Sequence, residues 1–309
     1  MQHNVLNYKN YRYLKIISLM MVVAIVAYLF HQPATGADAY GGSWLGYSLG
    51  ILSTLVAIVL MAYGARKRIA PMRTERRSIS NAPSPGQTVP NRRGRERNWL
   101  RHHGATLQGW LSAHTFLGIA LIVLATLHAG FQFGWNVHTL AYALMMVAIV
   151  SGCYGTYAYL RFPTLMTANM DGRDTFDALM LEIDELDEQA SVKSLQFSDE
   201  ICALVFRARQ ETLIGGNLFQ QLMAYHHKCP TAQAVKQLQA LGKNLSYDQL
   251  ESFDELYMVM AQKKALVRRA RLDVMYRARM EFWLYVHVPF SIAFMGALVA
   301  HIIAVLYYW

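Results

Sequence analysis

An all-α integral membrane protein is the fold class this sequence predicts, and three observations predict it. Apolar residues make up 54% of the 309 positions and charged residues only 16%, with a positive mean hydropathy. The apolar residues come in blocks of membrane length, since about 20 residues of helix are needed to cross a ~30 Å hydrocarbon core. The blocks are also nearly free of charge. Five of them, Tyr13–His31, Trp44–Gly64, Gln108–Phe133, His138–Leu160 and Phe282–Trp309, contain Lys15 and no other Asp, Glu, Lys or Arg. The expected architecture is therefore five transmembrane helices, with a helical cytoplasmic insert before the last.

Taken in order, the first two spans occupy residues 1–65. The first has a basic start, an apolar core and Ala37-Asp38-Ala39 after it, which looks like a secretory signal with a small-residue cleavage site. It is expected here to be retained as a real span. The second opens on Gly42, Gly46 and Gly50, a small residue every fourth position, which lets neighbouring helices approach closely. Residues 66–107 hold eleven Lys or Arg, from Arg66 to Arg101, and are broken by Pro83, Pro85 and Pro90. Such a composition cannot bury a core and predicts a flexible cytoplasmic loop, its last part, RERNWLRHHG, regaining structure before the third span.

The loops at 32–43 and 134–137 carry only Asp38 between them, so the charge asymmetry fixes orientation. The positive-inside rule places the amino terminus, the 66–107 loop and residues 161–281 in the cytoplasm, with Trp309 outside. The net charge of +9 is largely this topological signal. A nucleic-acid partner is not expected, because the arginines hug the span ends with no binding fold between them. A bacterial inner (plasma) membrane is the expected location.

The third and fourth spans fill residues 108–160, and the insert runs from 161 to 281. There Phe176, Leu179, Ile183 and Leu186 recur at steps of three and four, as do Ile201, Leu204 and Val205, and Leu250, Phe253, Leu256 and Met260. Gly215-Gly216 and Pro230 punctuate these stripes, giving four or five helices and no strand. Beyond Tyr247 no breaker comes until Pro289, so one long helix is expected to run from the insert into the fifth span, residues 282–309. Acidic residues from Asp171 to Glu188 crowd the first insert helix. They read as a solvated face or as a docking surface for a basic redox partner. Lys263, Lys264, Arg268, Arg269, Arg271, Arg277 and Arg279 crowd the last helix, where they are expected at the lipid headgroups. Cys153, Cys202 and Cys229 have no CxxC spacing and support neither a zinc site nor an iron–sulfur cluster.

The chemistry is concentrated in two histidine pairs. His114 and His128 lie in the third span, His287 and His301 in the fifth, and each pair is 14 positions apart. That spacing is about 21 Å along a helix, and the two rings stand only about 40° apart around it. Alternating spans make the third and fifth helices parallel, so His114 should face His287 on the cytoplasmic side and His128 should face His301 on the outer side. Paired neutral imidazoles in an apolar slot are what a low-spin haem b needs, which predicts two haems b. The second nitrogen of each ring needs an orienting partner, and Ser112, Thr115, Thr126 and Ser291 are close in sequence. Gly118 and Gly296 would open space beside a porphyrin, and Pro289 should kink the fifth span.

Other polar residues have subsidiary readings. Arg97, Arg101 or Arg279 could pair with haem propionates, and a quinone could bind near His102 or His103. His31 and His138 read as interfacial residues, and His226 and His227 as surface residues of the insert.

These four histidines, in a third and a fifth span after a basic inner loop, resemble the transmembrane domain of the ferric reductase and NADPH oxidase superfamily. Their spacing is also similar to the haem helices of respiratory cytochrome b. The resemblance implies electron transfer across the membrane through haems ligated by His114, His128, His287 and His301. Two features depart from the oxidase pattern. No sixth span and no flavin- or NADPH-binding domain follows the fifth helix, and the 161–281 insert is foreign to it. The implied role is thus a subunit of a hetero-oligomeric oxidoreductase complex, not a self-contained enzyme. It would take electrons from a cytoplasmic flavoprotein, iron–sulfur protein or quinol and pass them to an outer cytochrome c or other acceptor. The rival expectations are a non-redox membrane scaffold and a proton- or metal-conducting protein that uses the histidines as relay sites.

Overall fold

The computed structural model describes residues 11–31, 42–80, 107–170, 175–225, 228–244 and 247–307, with side chains left aside at 65–80, 107–108, 244 and 247–248. Nine α-helices and one 3₁₀ turn account for nearly all of these residues, and no strand occurs among them. The helices are α1 Arg12–Phe30, α2 Trp44–Ser80, α3 Leu107–Ala129, α4 Val137–Met170, α5 Phe176–Ser194, α6 Asp199–Gln210, α7 Leu218–Met223, α8 Pro230–Leu241 and α9 Tyr247–Tyr307, with the 3₁₀ turn at Gly242–Asn244. Five of them, α1–α4 and α9, are long and apolar enough to cross a membrane. This is a membrane protein.

The chain divides into two compact units. Unit 1 comprises Met1–Thr156 and Tyr285–Trp309, and unit 2 comprises Tyr157–Leu284.

The core of unit 1 draws on all five long helices, through Ala24 of α1, Leu49 and Ala57 of α2, Leu124 of α3, Met145 of α4 and Phe294 of α9. The backbone of α3 packs against both α2 and α1. Outside this core the apolar side chains face outward, among them Leu29, Phe30, Ile51, Leu55, Val150 and Leu306, as lipid-facing residues should. Hydroxyls within the spans return a hydrogen bond to their own helix: Ser53 to the Leu49 carbonyl at 2.7 Å, Thr54 to Gly50 at 2.9 Å and Thr126 to Ile122 at 2.7 Å. That satisfies them where no water is at hand. A tight turn joins α3 to α4. Gly130 takes φ 58°, a left-handed angle open to glycine at little strain, and the Asn136 side chain accepts from the Thr139 amide at 3.0 Å.

Unit 2 folds on the stripes read from its sequence. Leu179, Ile183 and Leu186 of α5 pack with Leu266, Val267 and Ala270 of α9. Ile201 and Val205 of α6, Leu238 of α8 and Phe253, Leu256 and Met260 of α9 form a second cluster. Local signals set the helix ends. The Thr175 hydroxyl accepts from the Ala178 amide at the start of α5, Asn217 and Gln220 form a reciprocal capping box on α7, and Pro230 occupies the first turn of α8.

Three elements depart from the sequence reading. The segment expected to be a flexible loop from residue 66 continues α2 as helix through Ser80. Its residues before Asn81 are mostly good helix formers (Ala, Arg, Lys, Met), and the breakers Pro83, Pro85 and Pro90 come later. Residues 81–106, with Arg97, Arg101, His102 and His103, lie outside the described residues, as do His226 and His227. The fourth span likewise runs past Leu160 to Met170, with Pro163 inside it.

The third departure concerns the basic run of α9, which was expected at the headgroups. Lys263 is buried, at 1% exposure, and donates to Asp187 of α5 and to the Ala208 carbonyl of α6, the latter at 2.9 Å. Arg271 donates twice to the Leu213 carbonyl, and Arg277 pairs with the buried Asp273 at 2.7 Å. Lys263 and Arg271 are buried because α9 packs on its neighbours along this stretch, whereas Lys264, Arg268 and Arg277 of the same run stay exposed. Burial pushes the Asp187 carboxyl above its ordinary value, and the hydrogen bond and charge of Lys263 pull it partly back. The long helix expected from Tyr247 is present as 61 unbroken residues, with Pro289 inside it.

Candidate functional site

At one end of the five long helices, three imidazoles come together. The ring of His128 on α3 lies 6.0 Å, centre to centre, from that of His301 on α9, at an interplanar angle of 80°. His138, in the first turn of α4, lies 4.5 Å from His301, and its Nδ1 bonds His301 Nδ1. His138 is therefore not merely an interfacial residue. The short turn after α3 brings it level with His128, and the direct ring contact follows.

His128 is seated on α2. Its Nδ1 donates to the Gly46 carbonyl at 2.7 Å. A carbonyl can only accept, so Nδ1 carries the proton and Nε2 of the neutral ring keeps its lone pair. Gly50, one turn further along α2, lies flat against the same ring. A Cβ there would stand 2.8 Å from His128 Cε1 and 3.0 Å from Nδ1. The glycines read as a close-approach pattern thus have a specific task, since Gly46 presents its carbonyl and Gly50 leaves room for the ring.

The second pair of histidines lies deeper along the same two helices. His287 Nδ1 lies 3.0 Å from Ser151 Oγ of α4, and Ser151 spends its own proton on the Ala148 carbonyl at 2.8 Å. With its proton on Ala148 the hydroxyl oxygen is placed to accept from His287 Nδ1–H, the tautomer that would leave Nε2 with its lone pair. Gly152 abuts this ring as Gly50 abuts His128, with a notional Cβ 3.2 Å from His287 Cε1. His114 and His287 are close enough to act on each other electrostatically. The Tyr63 ring of α2 lies 4.8 Å from His114, the Leu60 carbonyl is beside it, and its buried Nδ1 has no hydrogen-bond partner among the described residues.

Three of the four hydroxyls expected to orient these rings are engaged elsewhere. Thr115 bonds the Leu111 carbonyl and meets Thr156, Thr126 bonds Ile122 and Tyr142, and Ser291 bonds the carbonyl of His287 rather than its ring. In a helix a hydroxyl reaches its own preceding turn more readily than a ring on its own face, so nearness in sequence was a poor guide. The orienting groups come from α2 and α4. Gly118 and Gly296 face open space, with nothing within 4 Å of a notional Cβ. Arg279 donates through Nε to the Leu222 carbonyl at 2.9 Å, within unit 2.

The partners that sequence reasoning missed had faint signals. Ser151-Gly152 is a small polar pair in an otherwise bulky span, and His138 sits ten positions from His128 across a short turn. The cysteines are free: Cys153 is exposed, and Cys202 donates to the Ser194 carbonyl at 3.0 Å. Among the described residues no cluster of three or more His, Cys, Asp or Glu is arranged to hold a bare metal ion.

Geometry and composition define the class reached so far: a helical membrane protein, without strands among the described residues, that carries two histidines on each of α3 and α9. No model of a known protein family, no curated protein and no solved structure matches the chain.

Proposed function

We propose that this chain is a di-haem cytochrome b subunit that carries electrons across the membrane, its inner haem held by His114 and His287 and its outer haem by His128 and His301. One observation carries the reading. The His128 and His301 rings stand 6.0 Å apart on two helices that carry a second histidine each, His114 and His287, 14 residues earlier in the sequence. A haem iron held by His128 and His301 would need their ring centres about 6 Å apart, which is the separation seen.

The residues also fit the group in their chemistry. His128 and His287 have Nδ1 engaged and Nε2 available, the tautomer an axial ligand needs. Glycine stands against both rings, and space opens beside Gly118 and Gly296 on the ligand-bearing helices. Bound haem supplies a one-electron iron couple. The protein supplies ring orientation, an apolar surround that excludes water, and fixed imidazole geometry that keeps reorganisation small between the two oxidation states.

In this reading the amino terminus is cytoplasmic, in a bacterial inner membrane. A flavoprotein, iron–sulfur protein or quinol delivers electrons at the inner haem, and an outer cytochrome c or other acceptor removes them. Exposed Asp177, Asp184, Glu185 and Glu188 on α5 offer a face for a basic redox partner within a larger complex. The deciding experiment is a dithionite-reduced minus oxidised visible spectrum of the purified protein, with extracted haem quantified per chain. Two low-spin haems b support the proposal. A folded, haem-free protein sinks it and favours a scaffold.

A further inference from the structure

Unit 2 contains a stretch with inverted polarity. Residues 212–227 hold no Asp, Glu, Lys or Arg, in an insert otherwise dense with charge. Their apolar side chains point outward: Leu218 is 58% exposed, Phe219 63% and Met223 55%, with Leu213 and Tyr225 also exposed. Their amides turn back on the chain instead. Gln220 caps Asn217, and the Gln221 side chain donates to the Gly216 carbonyl at 3.0 Å. A short helix with its glutamines folded in and its Leu, Phe and Met turned out is built to meet an apolar medium.

The segment is pinned at both ends by arginines of α9. Arg271 holds the Leu213 carbonyl through Nε and Nη2, and Arg279 holds the Leu222 carbonyl. Arg279 lies three residues before Phe282, where the charge-free stretch of α9 begins, about 4.5 Å further along the helix axis. Phe282 and Leu284 are themselves exposed, and Trp283 sits between them as interfacial aromatics do. The Arg279 bond therefore fixes Leu222 and its neighbours at the level where α9 passes from charged to lipid-compatible sequence.

We infer that the 213–225 segment is an interfacial anchor, with Leu218, Phe219 and Met223 inserted at the headgroup–acyl boundary of the leaflet on the side of unit 2. The occupant of this surface is lipid. The inference is independent of whether the histidines hold haem.

The test places a nitroxide on the full-length chain in phosphatidylcholine–phosphatidylglycerol vesicles, after replacement of Cys153, Cys202 and Cys229 by serine. Labels go on Phe219→Cys and Met223→Cys, with Leu195→Cys as a control, since Leu195 is 77% exposed but lies off the segment. Collision with dissolved oxygen, which partitions into lipid, is compared with collision with a water-soluble nickel chelate. The oxygen-to-nickel ratio should be several-fold higher at 219 and 223 than at 195. Nickel access at 219 and 223 equal to that at 195 overturns the inference. Shielding of both labels from both probes also overturns it, because a protein partner or a second copy then covers the segment.

Discussion

The contact between Gly50 and His128 gives a prediction whose size can be worked out. In Gly50→Ala the new methyl would sit 2.8 Å from His128 Cε1 and 3.0 Å from Nδ1, where ordinary carbon contacts begin near 3.5–4.0 Å. The ring must therefore retreat from α2 by roughly 0.7–1 Å. Its hydrogen bond to Gly46, now 2.7 Å, would stretch to about 3.5 Å, the limit of a useful bond. Overpacking of this kind costs about 1–3 kcal/mol, and loss of the bond about 1 more. The alanine returns up to about 1 kcal/mol through helix propensity.

The net expectation for Gly50→Ala is a loss of about 1–3 kcal/mol, concentrated on the seating of His128. Gly152→Ala is the internal control, because its methyl meets His287 Cε1 at 3.2 Å and a shift of a few tenths of an ångström relieves it. Its net effect should fall within about 1 kcal/mol of zero. On the di-haem proposal, haem per chain and the reduced-minus-oxidised spectrum should show the outer chromophore depleted or shifted in Gly50→Ala and both chromophores retained in Gly152→Ala. His128→Leu identifies which signal is the outer one. If Gly50→Ala keeps two unaltered chromophores, or if Gly152→Ala is the more damaging, the packing argument is wrong.

The remaining predictions concern groups that hold other groups in place. Ser151→Ala removes the hydroxyl beside His287 Nδ1 and should cost about 1 kcal/mol; on the di-haem proposal it should also move the inner chromophore's low-spin resonance signature while sparing the outer one. On the same proposal, His138→Phe should shift the electron paramagnetic resonance of the outer centre, with partial return in His138→Asn. An unmoved signal would make the His138–His301 contact incidental. In unit 2, Lys263→Met and Asp187→Leu should each destabilise by about 3–5 kcal/mol by stranding a buried partner, and the double variant should recover most of that loss in chemical denaturation. The raised Asp187 carboxyl has a definite pH sign. Its contribution to stability is fully present below the unfolded carboxylate range and is lost as pH rises through the folded value, so the thermal midpoint of the wild type relative to Asp187→Asn should fall from acid to neutral pH.

Much of the fold was readable because it follows from local rules. Five nearly charge-free blocks became the five membrane-length helices, and the absence of breakers after Tyr247 became a single 61-residue helix. Leu179, Ile183 and Leu186 are buried, as their spacing implied. The histidine pairs were conspicuous for the same reason, since polar groups in apolar runs stand out. What stayed hidden was relational. That the Gly46 carbonyl, rather than a hydroxyl on α3, receives His128 depends on how α2 lies against α3, which no periodicity encodes. That Lys263 turns inward to Asp187 depends on a contact between residues 76 positions apart. The helical reach of α2 to Ser80 was masked by composition, because a basic run near prolines reads as a linker whichever way its backbone winds.

The interleaving of the two units has a consequence for how the protein is made. His114 precedes His287 by 173 residues, and His128 precedes His301 by the same interval, with all of residues 157–284 synthesised in between. On a growing chain the α3 histidines enter the bilayer early and wait, already seated on α2 in the case of His128, for partners that arrive last. If the proposed pairs form, completion of either is thus a late event, timed by translation and folding of an entire intervening unit. On that proposal a lesion that slows unit 2 would reach the histidines by delay, leaving half-built sites whose number tracks the duration of synthesis and not the stability of the finished protein.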